Sequence, residues 1–146
     1  EGGWKMDQID QQIVRILQGD ARIPWSELGR QIGLSAPAVI ERVRKMEDAG
    51  IIEGFRAVIN PEALAQGLLA IVMFEETRCA GLIDFCKNHP EVVECHRLTG
   101  SYNFMVKLQT ASVATLERFL DDASVYGKPS TWIRLSTPVP FTGYTI

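Results

Sequence analysis

Arg42, Arg44 and Lys45 place three cations within four residues, shortly after Ser35, Ala36, Pro37 and Ala38. Side chains of this kind suit anionic partners. An ammonium group meets a phosphate as a point charge, and a guanidinium fork fits phosphate or the edge of a guanine. Arg22 and Arg30 add two cations upstream, and Glu41 sits among the basic residues. A second set comprises Cys79, Cys86, Cys95, His89 and His96. Thiols and imidazoles serve in metal binding or nucleophilic catalysis, but no C-x-x-C or H-x-x-x-H spacing is present. Nor does the chain carry a Ser-His-Asp set, a paired-carboxylate motif, a phosphate-binding loop or a dinucleotide fingerprint. We therefore expect no metal, no cofactor and no enzyme, and read the cysteines as small buried hydrophobes. A third candidate is "GSYN", Gly100 to Asn103, with Leu98 and Thr99 before it. Gly100 can adopt positive φ, and the N–H groups of such a turn can hold a carboxylate. The same residues also make an ordinary ligand-free turn.

The elements that would position these groups follow from hydrophobic spacing. Ile9, Ile13, Ile16 and Leu17 fall on one face of a helix capped by Asp7 and stopped at Gly19. "DARIP" turns the chain, and a short helix through Trp25, Leu28 and Ile32 ends at Gly33. Ser35 caps a third helix over 36–48, with Pro37 tolerated in its first turn, and Gly50 ends it. On that helix Val39, Val43 and Met46 share the core face. Pro37, Ala38, Glu41, Arg44 and Lys45 lie opposite, with Arg42 on the flank. Small residues at the tip and cations behind it fit a helix that enters a major groove about 12 Å wide. The N-terminal backbone N–H groups, together with Ser35, can also meet a phosphate.

The period then changes. "LLAIVMFEETR" reads as a buried strand and "GLIDFCKNHP" as a helix. "VVECHRLT" and "YNFMVKLQ" read as strands joined by a tight "GS" turn. A helix capped by Ser112 follows, and "STWIRLS" is the last strand, ended by Pro138 and Pro140. The order β-α-β-β-α-β is that of ferredoxin-like folds. The fold class is thus α+β, with a helix-turn-helix domain at 7–52, a linker strand and turn at 53–67, and a ferredoxin-like domain at 68–146. The apolar tail Phe141, Tyr144 and Ile146 can dock on a neighbouring subunit or on its own chain.

Composition bounds these readings. The chain has 146 residues, 46% hydrophobic and 23% charged, with a net charge of −3. The first sixty residues carry 8 basic and 9 acidic side chains and the remainder 7 and 9, so neither half binds nucleic acid by bulk charge. No apolar run approaches the ~20 residues of a membrane span. Three cysteines at irregular spacing suggest a reducing cytoplasm rather than a disulfide framework. "EGGWK" reads as an irregular leader outside the fold.

Taken together, Asp7, Asp10, Asp20, Arg22, Ile23, Leu34, Ser35, Val39, Arg42, Val43, Glu47, Gly50, Ile51 and Ile52 resemble the N-terminal half of the Lrp/AsnC (feast/famine) transcriptional regulators. That family has an aspartate-rich first helix, a D-x-R-I turn and an L-S-x-x-x-V-x-x-R-V-x-x-x-E-x-x-G-I-I recognition region. The likeness runs from Asp7 to about Ser136. It implies a winged-type helix-turn-helix that binds double-stranded DNA sequence-specifically, through Arg22, Arg30, Ser35, Ala36, Pro37, Ala38, Glu41, Arg42, Arg44 and Lys45. It also implies homodimers that often assemble to octamers, and a small-molecule effector, commonly an amino acid, bound between dimers at the loop Leu98, Thr99, Gly100, Ser101, Tyr102 and Asn103. The family pattern in that loop is G-D-Y-D, and here both aspartate positions are neutral. Asn103 can accept a hydrogen bond from an α-ammonium group but supplies no charge, so amino-acid binding should be weaker or altered, or the effector different. The alternative is a metabolite-sensing assembly module with little specific DNA binding.

Overall fold

The computed structural model describes residues 5–146, so the leader expectation falls almost wholly on residues 1–4, outside them. The chain divides into two compact units, one holding the residues up to 57 together with 139–146, the other 58–138. The expected domain boundary assigns 139–146 to the sheet, whereas the structure groups this segment with the helices.

The helical unit holds α1 (Gln8–Gly19), α2 (Trp25–Ile32) and α3 (Ala36–Asp48). Asp7 caps α1 in a reciprocal box. Its carboxylate accepts from Asp10 N–H at 2.8 Å, and Asp10 accepts from Asp7 N–H at 3.0 Å. Ile13, Leu17, Leu28, Val39, Val43 and Met46 form the core, one apolar stripe from each helix. The α2–α3 turn uses two glycines differently. Gly33 takes φ +77° as the left-handed end of α2. Gly29 provides close approach, because its carbonyl accepts from Leu34 N–H at 2.8 Å. A Cβ at Gly29 would run into the Leu34 carbonyl oxygen. Past α3, residues 53–60 belong to no helix or strand, so the expected linker strand is an unpaired segment in the single chain. It leads to a 3-10 turn at Pro61–Leu64.

The second unit is a four-stranded antiparallel sheet in the order β2-β3-β1-β4, from β1 (Leu68–Glu75), β2 (Val92–Arg97), β3 (Phe104–Thr110) and β4 (Lys128–Ile133). Two helices, α4 (Cys79–Asn88) and α5 (Val113–Ala123), cover one face. Alternation decides which residues they cover. Ala70, Val72, Phe74, Phe104, Val106 and Leu108 pack against Leu82, Cys86, Leu116, Phe119 and Ala123. Leu69, Ile71, Met73, Met105 and Trp132 point to the other face, outside that core.

Two local expectations change. The tight "GS" turn is a wider loop: Arg97 pairs with Phe104, and Leu98 N–H donates to the Asn103 carbonyl at 2.8 Å. Two-residue hairpin turns of type I′ need positive φ at both central residues, and only Gly100 has it here, at +99°. β4 begins at Lys128 and ends at Ile133, so Pro138 is not what stops it.

Gly29→Ala should cost about 1–3 kcal/mol, the usual range for overpacking, and should do so in the helical unit alone. Urea unfolding followed by circular dichroism, with amide exchange to locate the loss, would check both halves of this expectation.

Candidate nucleic-acid interface and effector loop

α3 begins where Ser35 accepts a hydrogen bond from Ala38 N–H at 3.4 Å. Val39, Val43 and Met46 are buried, which turns Pro37, Ile40, Glu41, Arg44, Lys45 and Asp48 outward. Ala36 and Ala38 are half-buried beside the tip. Ile40 is 46% exposed in the middle of this outward face. The sequence reading missed it, although its position three residues after Pro37 and four before Arg44 was the available signal.

The expected cations do not share one role. Arg42 is turned away from the outward face. Its Nη1 donates to Asp7 Oδ2 and to Asp10 Oδ1, each at 2.8 Å. The Asp10 side chain is only 2% exposed, so its charge requires this partner. Arg42 therefore fixes α3 against the start of α1, with its side chain still 30% exposed. Arg44 donates to Glu41 from Nε at 3.2 Å and Nη2 at 2.9 Å, and lies 3.5 Å from Asp48. Lys45 lies 3.8 Å from Glu41. On α2, Arg30 grips Glu27 at 2.9 and 2.5 Å. Arg22 is exposed and in no ion pair among the described residues.

These exposed pairs are screened by water and hold weakly, so a phosphate can displace the carboxylate cheaply. The hydrogen bonds of Arg30 hold the Glu27 carboxyl down to about 2, and Arg44 lowers that of Glu41. Both carboxylates stay charged at neutral pH and offset the cations beside them. This face is therefore mixed in sign.

The six loop residues 98–103 lie together between β2 and β3. Asn103 is pinned from β1, its N–H donating to the Phe74 carbonyl at 3.0 Å. Its Oδ1 is buried without a hydrogen-bond partner among the described residues. The Tyr102 ring meets Trp132 edge-on at 6.4 Å. Ser101 and Thr99 are exposed, and a Cβ on Gly100 would meet open space. A cavity of about 450 Å³ near α4 and β2 is lined by Cys86, His89, Cys95 and Arg97, among others, but by none of residues 98–103.

The thiols and imidazoles take other places. Of the three cysteines expected to be buried only Cys86 is, and burial pushes its thiol up to about 12; Cys79 is half-buried and Cys95, on the edge strand β2, is exposed. His89 packs edge-on against Phe119 at 5.0 Å, and His96 bonds Glu94 at 2.8 Å. Among the described residues no three His, Cys, Asp or Glu side chains gather as a metal site, and no helix is long and apolar enough to cross a membrane.

Arg42→Ala should destabilise the helical unit by about 3 kcal/mol, because Asp10 is left charged and buried. In thermal melts this variant should fall well below Arg44→Ala, which removes only exposed pairs. Acid should act through the same cluster. The Asp10 backbone N–H first, and then Arg42, hold the Asp7 carboxyl below its ordinary range. The stability this gives is complete above pH ~4 and is lost as pH falls through the lowered folded value. Asp7→Asn should flatten that acid limb in a pH series of urea midpoints.

Comparison with known proteins agrees with this arrangement. The AsnC-type helix-turn-helix domain matches residues 6–47, and the Lrp/AsnC ligand binding domain matches residues 70–142. The uncharacterized HTH-type transcriptional regulator YezC of Bacillus subtilis is 43% identical over 132 residues, 90% of this chain and 95% of that protein. The solved structure of B. subtilis LrpC superposes with a TM-score of 0.85 at 31% identity, covering 91% of this chain and 96% of that one. A Neisseria meningitidis transcriptional regulator in complex with L-methionine shares the fold, with a TM-score of 0.88 at 23% identity, over 97% of each chain. A DNA-reading helical unit and a ligand-binding sheet unit in one chain identify the protein as a member of the Lrp/AsnC family of sequence-specific, DNA-binding transcriptional regulators.

Proposed function

We propose that the protein acts in the cytoplasm as a homodimer, further assembled to an octamer, whose two α3 helices enter successive major grooves of a near-palindromic site. The observation that carries this reading is the outward face of α3, capped at Ser35 and rigidly backed by Arg42. Ile40 meets thymine methyl groups, Arg44 and Glu41 read base edges, and Lys45, Arg30 and Arg22 bind phosphate. Ser35, Ala36, Pro37 and Ala38 form the tip that approaches the backbone. The uncovered sheet face with Leu69, Ile71, Met73, Met105 and Trp132 supports the dimer, since a single chain leaves this apolar surface without a covering layer.

The effector site is the loop Leu98, Thr99, Gly100, Ser101, Tyr102 and Asn103, completed by a second subunit. Asn103 Oδ1 is a buried acceptor that a ligand N–H would satisfy. The relative crystallised with L-methionine makes an amino acid the first class to test. Because Ser101 and Asn103 carry no charge, an α-ammonium group is held here only by neutral hydrogen bonds, about half as strong as charge-assisted ones. The chain acts through binding rather than catalysis.

Fluorescence anisotropy with the DNA upstream of the protein's own gene should give salt-sensitive binding. Lys45→Ala should reduce the slope of log affinity against log salt by about one unit, as expected when one phosphate goes unneutralised. Binding that is absent, or insensitive to both Lys45→Ala and Arg44→Ala, would remove α3 from the interface. Native mass spectrometry with a panel of amino acids should show even-numbered assemblies. It should also show a ligand adduct weakened by Asn103→Ala. A monomer would overturn the dimer.

A further inference from the structure

We propose that segment 139–146 is a releasable latch, held by Gln18 and Arg15 of α1, that ties the helical unit to the chain leaving the sheet. The Gln18 carboxamide engages both backbone groups of one residue. Its Oε1 accepts from Tyr144 N–H at 2.6 Å, and its Nε2 donates to the Tyr144 carbonyl at 3.0 Å. One turn earlier on α1, Arg15 Nη2 donates to the Ile146 carbonyl at 2.9 Å. Gly143 makes the approach possible. It sits at φ +129°, and a Cβ there would lie 2.6 Å from Gln18 Oε1 and 3.0 Å from Gln18 Cδ.

Burial does not explain this docking. Phe141 is 76% exposed and Tyr144 77%, their rings packed edge-to-face on each other at 5.2 Å rather than into the helices. A tail held by the hydrophobic effect would hide those rings. This one is held by a few exposed hydrogen bonds to its backbone, each of modest net strength, so it can open without unfolding either unit.

Its connectivity gives the latch a consequence. With the latch closed, the chain leaves the helical unit through residues 51–57 and returns to it after β4, so two connections hold that unit. With it open, only the 51–57 connection remains. A dimer must present two α3 helices at one spacing, and extra freedom lowers the effective concentration of the second helix after the first has bound. This step rests on the dimer reading above. Opening the latch weakens DNA binding while every phosphate-binding side chain stays in place.

Gly143→Val and Gln18→Ala open the latch from its two sides and leave both cores untouched. In the full-length chain, hydrogen exchange followed by mass spectrometry should show slow exchange at Tyr144 in the parent protein and fast exchange in both variants. Anisotropy with the DNA upstream of the protein's own gene should show affinity reduced on the order of tenfold in both variants, with an unchanged salt slope. Fast exchange at Tyr144 in the parent protein would overturn the latch. So would variants that exchange fast yet bind DNA as the parent does. A parent that is monomeric by native mass spectrometry would refute the dimer reading instead, and the exchange comparison would still decide whether the latch exists.

Discussion

The buried carboxylate of Asp10 is the constraint around which the helical unit is arranged. A charge removed from water must find a partner of opposite sign, and the nearest one is Arg42 on a different helix. Asp10 also closes the capping box with Asp7, so one cluster both starts α1 and fixes α3 against it. Three short helices have little apolar surface with which to define an angle. A bridged ion cluster adds direction to a core that by itself supplies only cohesion. The recognition helix therefore presents its outward face in a fixed orientation before any DNA arrives.

That face is built for selectivity more than for raw attraction. Arg44 and Lys45 are offset by Glu41 and Asp48, and Arg30 by Glu27. Such pairs keep long side chains ordered at small energetic cost, and they suppress indiscriminate binding to any polyanion. The net charge of −3 belongs to the same design. In the dimer proposed above, binding comes from shape, base-edge contacts and the pairing of two helices, which would link DNA affinity to assembly.

The sheet unit contributes the apolar face on which the proposed dimer rests. Helices cover one face, and the alternation of the strands leaves a second apolar set facing away from them. The loop with Asn103 opens from the same sheet, its buried Oδ1 unpaired among the described residues.

Much of this was legible in the sequence because it depends on local rules. Helix spans, the caps at Asp7, Ser35 and Ser112, and the β-α-β-β-α-β order follow from periodicity and from residues that bond their own backbone neighbours. The composition of the 98–103 loop was also plain, including its two neutral positions. What the sequence could not assign is where long, flexible side chains end. Arg42 and Arg44 are two residues apart and identical in type, yet one anchors a helix and the other faces outward. The difference lies in α1, some thirty residues away, which brings Asp10 beneath one of them and not the other. The 139–146 segment follows the same logic, since its partner Gln18 is brought near only when the chain is folded. Sequence by itself determined the elements, the fold and the family. Tertiary structure alone decided which charges are structural and which are free, because desolvation and pairing depend on distances between residues far apart in the chain.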